Sequence, residues 1–353
     1  MPRSSTPRHY RRSPLRTVWP SPAGPARRRQ AAKADPEYGV PAEPSWREVD
    51  WPAVTSQVEV HGRELNYVSL GSSDDVVLFV HGLGGSWQNW LENLPAVAAS
   101  GRRAIALDLP GFGRSQMPAE PISITGFAAA VDGLCDALGL GAVHLVGNSM
   151  GGFTAAEVAI RHPERVTTLT LVDAAGITSN QIAKNPLAER FAVTALGGNG
   201  AATATGPDGQ PRLLQLLRRP AGVHAALAIV ARHPTRLARD LLREQFHSLG
   251  SPGFMPAMQA IFHYDFVERL PEIACPTLII QGEKDLLVPL GDAYAFEQRI
   301  AKSTVVTFAD TGHVPMFERP AAFNAALLEF IGQDVAPHEP DAQDAPLLAD
   351  GRA

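Results

Sequence analysis

The chain has 353 residues, 45% of them hydrophobic and 19% charged, enough apolar material for one large α/β domain or two ordinary ones. Its formal charge of -5 is unevenly spread: nine of the 31 Lys and Arg fall in residues 1–34, where no acid occurs, so the rest of the chain is strongly acidic. That body argues against nucleic acid as the main ligand, and the lack of an apolar run of about 20 residues argues against a membrane span.

In chain order, residues 1–45 are rich in Pro, Arg, Ser and Ala with hardly any apolar periodicity, and they read as a disordered basic tail. Prolines and charges break the stretch after Arg11 and Arg12, which has no signal-peptide core, so the expected location is cytoplasmic. "QVEV" and "ELNYVSL", joined by "HGR" (61–63), predict an antiparallel hairpin at a sheet edge. The runs "VVLFV", "RAIAL", "VHLV", "VTTLTLV", "PTLIIQ" and "TVVTF" then alternate with longer Ala/Leu-rich segments. Such alternation predicts an α/β fold with a largely parallel sheet and helices on both faces.

Between 176 and 270 the alternation stops, and "NPLAERFAVTAL", "PRLLQLLRR", "PTRLARDLLREQF" and "PAMQAIFHYDF" are helical in pattern. The expected organisation is therefore a core of 46–175 and 271–332, a helical insertion at 176–270 and a second disordered tail at 333–353. Cys135 and Cys275, the two cysteines, have no C-x-x-C spacing or histidine cluster, which argues against a disulfide framework or a zinc site.

The chemistry concentrates in four places. "AVHLVGNSMGG" places Gly147-Asn148-Ser149-Met150-Gly151 between a buried-looking strand and a helical segment, the context in which G-x-S-x-G makes a strained turn with an exposed serine. A serine hydroxyl needs a base, and the base needs an orienting group. His313, in "DTGHVPMFERP" after the last strand-like run, is the candidate base. Asp285, in "QGEKDLLVP", is the candidate acid; Asp173 at the end of "TLTLVD" is a competitor and Glu283 a weaker one.

The fourth place is "VHGLGGSW", whose glycines let backbone amides approach a developing oxyanion; the amides of Leu83 and Met150 are the candidate pair. His81 reads as structural, holding that loop. No G-x-G-x-x-G frame with its downstream acid and no phosphate-binding loop occurs, so no cofactor is expected and a small-molecule substrate is.

The motifs "HGLGG", "DLPGFGRS", "LVGNSMGG", "GEKDLLVP" and "DTGHVPMFERP" together resemble the α/β-hydrolase superfamily, over about residues 55 to 332. The resemblance is to its capped group of esterases, lipases, cofactor-free haloperoxidases and hydrolases of aromatic ring-fission products. It implies an α/β-hydrolase fold with a mostly parallel eight-stranded sheet and a helical cap over the pocket. It also implies Ser149 as nucleophile, His313 as base, Asp285 as its partner and an oxyanion hole at Leu83 and Met150.

"GNSMGG" is similar to the elbow of the carbon–carbon bond hydrolases, but those tend to have a longer glycine loop and a tryptophan after the Gly-His pair, where this chain has Val314. The expected reaction is thus cleavage of a carboxylic ester of a small or medium apolar substrate through an acyl-enzyme. Carbon–carbon hydrolysis, perhydrolysis or acyl transfer to an acceptor other than water are the alternatives, and a non-catalytic binding module is a further one. Phe191, Leu196, Phe254, Met255, Met258 and Phe262 are apolar candidates for the pocket wall. Nothing in the sequence sets the oligomeric state.

Overall fold

The computed structural model describes residues 35–183, 227–245, 248 and 250–332. The arm 1–34, the expected helical segments with Phe191 and Leu196, and the tail 333–353 lie outside them. Eight strands form one sheet: β1 Thr55–Val60, β2 Arg63–Leu70, β3 Val76–Val80, β4 Arg103–Leu107, β5 Val143–Asn148, β6 Val166–Val172, β7 Thr277–Gly282 and β8 Ser303–Phe308. Their spatial order is β1-β2-β4-β3-β5-β6-β7-β8. β1 and β2 pair antiparallel, as do β2 and β4, and every other pair is parallel. The edge hairpin turns on His61 and Gly62, both with positive φ (52° and 72°), the conformation that matches the twist of the flanking strands.

The central strands are buried on both faces, which explains why they read as continuous apolar runs rather than alternating ones. Successive side chains still point to opposite sides. Leu78, Val80, Leu145 and Leu171 join one core with Phe127 and Val131 of α2 (Ile124–Ala137) and Phe153 and Val158 of α3 (Met150–Arg161). Val77, Phe79, Val146 and Val172 join the other with Leu94 and Val97 of α1 (Leu94–Ala99). Ser123 caps α2 by accepting the Gly126 amide at 3.0 Å.

Between β6 and β7 lie α4 (Ile177–Ala183), α5 (Arg239–Glu244) and α6 (Phe254–His263). α7 (Leu290–Glu297) and α8 (Pro320–Gly332) complete the core. Among the described residues no helix is long and apolar enough to cross a membrane.

The packed chain begins earlier than the expected tail boundary at residue 45. Tyr38 and Ala42 are buried, Tyr38 donates its hydroxyl to Glu318, and Glu92 accepts from the Ala42 amide at 2.7 Å and Trp46 Nε1 at 3.0 Å. Both carboxylates are remote in sequence, so the local Pro-rich composition gave no sign that this segment has partners.

Candidate active site

The carboxyl ends of β3, β5, β6, β7 and β8 lie side by side at one end of the sheet, where open α/β sheets bind ligands. β5 leads into Ser149, at φ 56° and ψ -117°, a backbone that costs a non-glycine residue roughly 1–3 kcal/mol. The flanking glycines are there because side chains do not fit. A Cβ on Gly147 would lie 2.2 Å from the Gly151 carbonyl oxygen, and one on Gly151 would lie 2.2 Å from that of Val80. The Ser149 amide donates to Val172 O at 2.9 Å, and its carbonyl accepts from the Phe153 and Ala175 amides at 3.1 Å each. The turn is thereby held from β6 as well as from α3.

The glycine loop after β3 rests against this turn: an ideal Cβ on Gly82 would be 3.2 Å from Ser149 Cβ. Met150 is the first residue of α3, so its N–H has no partner within the helix, and Leu83 lines the same cavity as Ser149. The two candidate oxyanion donors thus belong to the two segments that flank the serine.

His81 is fully buried, accepts the Leu109 amide at Nε2 (3.0 Å) and donates from Nδ1 to Gly82 O (2.7 Å), which fixes one neutral tautomer. Burial lowers its pKa, and both nitrogens are occupied in holding the loop. Asp108 of "DLPGFGRS" supports the other end by accepting from Trp87 N, Arg114 N and Asn66 Nδ2 at 2.8, 2.9 and 2.9 Å.

His313 follows β8 and its Nδ1 lies 2.7 Å from Asp285 Oδ2. Asp285 Oδ1 accepts the Leu287 and Val288 amides at 2.7 and 3.1 Å, so the carboxylate is oriented by its own loop. His313 lines the cavity with Ser149. Asp173 is not remote from the pair: an atom each from Asp173, Asp285 and His313 all fall within 4.8 Å of one another. These three are the group that a metal would have to use among the described residues, but His313 Nδ1 and Asp285 are already engaged with each other. Glu283 is solvent-exposed on the Asp285 loop.

Three further residues shape the site and went unnoticed in the sequence. Asn148, inside the elbow, donates from Nδ2 to Val172 O (3.1 Å) and to His313 O (3.2 Å). Glu318, fully buried, accepts the Gly312, Val314 and Arg232 amides, cradling the loop that carries His313; burial raises its pKa. Its signal was a charge ending the apolar run "VPMF" five residues after the histidine. Gln281 Nε2 reaches Asp173, Asp285 and the Val288 carbonyl at once.

The described residues bound a cavity of about 320 Å³ with a mostly apolar wall, within the range of small-molecule sites. Phe254, Met258 and Phe262, one face of α6, line it with Leu242 of α5 and Val230. Met255, expected with them, is instead 38% exposed on another face of the helix.

Residues 75–320 match the family described as the alpha/beta hydrolase fold. The chain belongs to the α/β-hydrolase family. Among curated proteins it is 30% identical over 303 residues to the dihydrolipoyllysine-residue acetyltransferase component of the acetoin cleaving system of Cupriavidus necator, covering 84% of this chain and 73% of that one. It is 28% identical over 283 residues to the 2-hydroxy-6-oxo-6-phenylhexa-2,4-dienoate hydrolase of Comamonas testosteroni, with 76% and 91% covered. Among solved α/β-hydrolase structures, that of Est816, described as an N-acyl homoserine lactone degrading enzyme, superposes with a TM-score of 0.62 at 25% identity, over 78% of this chain and all of that one. The chain is an enzyme of the hydrolase type.

Proposed function

We propose that this α/β-hydrolase is a serine hydrolase that cleaves a carboxylic ester of a small or medium apolar substrate through an acyl-enzyme. The observation that carries the reading is the strained Ser149 on an apolar cavity shared with His313, whose imidazole is hydrogen bonded to Asp285. Ser149 Oγ attacks the ester carbonyl carbon while His313 Nε2 takes its proton. The developing oxyanion is stabilised by the amides of Leu83 and Met150. The C–O bond breaks, His313 protonates the departing alkoxide, and water, deprotonated in turn by His313, releases the acid and restores Ser149. Asp285 stays ionised throughout and holds the imidazole in the tautomer with Nδ1 protonated.

A second reading is carbon–carbon hydrolysis of a ring-fission product, favoured by the likeness to the Comamonas enzyme. That enzyme's named substrate is a dienoate, whose carboxylate needs a cation or a set of donors. Among the described residues, the cavity wall includes no Arg or Lys, and its acid Asp292 is bound to Thr178. The described wall thus gives that carboxylate no cation and leaves neutral donors such as Ser179 Oγ, which has no partner among the described residues, to hold it; a neutral ester makes no such demand.

Burst and steady-state release of p-nitrophenol from the acetate and butyrate esters tests the proposal, alongside the dienoate as competitor. Turnover should vanish in Ser149→Ala and fall on the order of 10⁴-fold in Asp285→Asn, where the imidazole loses its tautomer. Wild-type turnover of the dienoate with none of either ester would replace the ester reading with the second one.

A further inference from the structure

We propose that Asp173 is a positioning residue that carries a proton and donates it, in a hydrogen bond, to the carboxylate of Asp285. The kinetic consequence rests on the serine-hydrolase reading above; the proton itself rests on geometry.

Asp173 follows the last residue of β6 at φ 43°, a left-handed backbone that aspartate tolerates better than most residues. Its side chain is buried beside the start of the β7 loop. Oδ1 accepts from Gln281 Nε2 and from the Gly282 amide, both at 2.9 Å. Oδ2 is equally buried and has no hydrogen-bond donor among the described residues. A carboxylate oxygen left this way, next to a second carboxylate, has both desolvation and repulsion against it.

The neighbouring groups decide which of the two acids is neutral. Asp285 has the Leu287 and Val288 amides on Oδ1, and Gln281 Nε2 and the imidazole of His313 at Oδ2, so its charge is well served. Asp173 has donors on one oxygen alone. The other titratable groups around the pair are His313, which faces Asp285, the acids Glu318 and Asp292, and the exposed Glu283 and Lys284 of the same loop. Burial and the adjacent charge of Asp285 hold the Asp173 carboxyl well above the usual carboxylate range. Protonated at Oδ2, it gains the partner that the oxygen lacks, and Asp285 gains a donor that fixes its rotamer toward His313.

The bond also tempers the pull of Asp285 on its imidazole, since a carboxylate that accepts one more hydrogen bond is a weaker base. Asp173 thereby acts on the imidazole through Asp285, without touching the substrate.

Asp173→Asn is the decisive variant, because the carboxamide is neutral, keeps an oxygen for Gly282 and Gln281, and donates an N–H to Asp285. In the free enzyme at pH 7, the wild-type minus Asp173→Asn infrared difference should contain the C=O stretch of one protonated carboxylic acid. kcat/KM for p-nitrophenyl butyrate should stay within about threefold of wild type, with the acid limb of its pH profile unmoved. Asp173→Leu, which cannot donate, should lower kcat about tenfold at little-changed KM and displace that limb upward. A missing infrared band, or an acid limb that drops by about a unit in Asp173→Asn because a negative charge has been deleted, would show Asp173 ionised and overturn the proposal. Wild-type kinetics in Asp173→Leu would overturn the positioning role. An enzyme inactive on every ester leaves the infrared result intact, so the failure of the hydrolase reading and that of the proton are told apart.

Discussion

Asn148 Nδ2 donates to the carbonyl of His313 at 3.2 Å, tying the residue beside the candidate nucleophile to the candidate base 165 positions later. The Val172 carbonyl, its other acceptor, also receives the Ser149 amide, whereas the His313 carbonyl has no second donor among the bonds described for it. Asn148→Ala should therefore cost about 1–3 kcal/mol of stability through the unsatisfied His313 carbonyl. With the histidine loop less well held, kcat should fall with little change in KM. Thermal unfolding and steady-state ester kinetics on the same preparation check both.

Gly151 is bounded by backbone, with the Val80 and His81 carbonyl oxygens 2.2 and 2.5 Å from where a Cβ would be. Neither is the movable end of a side chain. Gly151→Ala should lower stability by about 2–3 kcal/mol and abolish labelling of Ser149 by a fluorophosphonate probe. Gly291→Ala, in α7 with nothing within 4 Å, is the control and should be neutral or stabilising by about 0.5–1 kcal/mol.

The segment from Asp35 is bolted to the histidine loop through Glu318. Tyr38 donates to Glu318 while its hydroxyl oxygen accepts the His233 amide at 2.8 Å, and Gly39 N donates to Glu318 O at 2.8 Å. Tyr38→Phe should destabilise the fold by about 1–2 kcal/mol, leaving the His233 amide without its acceptor. Glu318→Gln should cost about 3 kcal/mol, because an NH2 then faces amide donors, and should depress kcat more than Tyr38→Phe does. Chemical denaturation together with kcat measured well below the transition would separate the two.

The raised pKa of Asp173 makes a prediction about stability against pH. Above its ordinary value of 3.8 the unfolded side chain is ionised while the folded one stays protonated, so folding takes up a proton and wild-type stability falls as pH rises toward the folded pKa. The slope approaches about 1.4 kcal/mol per pH unit over that window. Asp173→Asn has no such cost, so its Tm relative to wild type should increase from about pH 4 toward neutrality and then level off. A Tm difference that is flat with pH would contradict this.

Much of the sheet was legible because strand propensity is local. All eight β-branched runs are strands, and the edge hairpin forms at His61 and Gly62, since strand propensity and a two-residue turn are written in neighbouring residues. Ser149, Asp285 and His313 could be singled out because each sits in a short motif at the end of a strand. Local signals failed for Tyr38, in a Pro-rich stretch that resembles a solvated tail, and for Met255, whose side of the helix depends on what packs beside α6.

What the sequence determined by itself was the alternation of elements, the strained elbow and the order of serine, acid and histidine, all of which follow from propensity, glycine and spacing. Tertiary structure alone decided that Glu318 cradles the histidine loop, that Asn148 reaches the His313 carbonyl, and that Asp173 and Asp285 share one buried place. The reason is that β5, β6, β7 and β8 are adjacent in the sheet, so strand tips far apart in sequence converge. Burial and charge are properties of that convergence, and no stretch of the chain contains them alone.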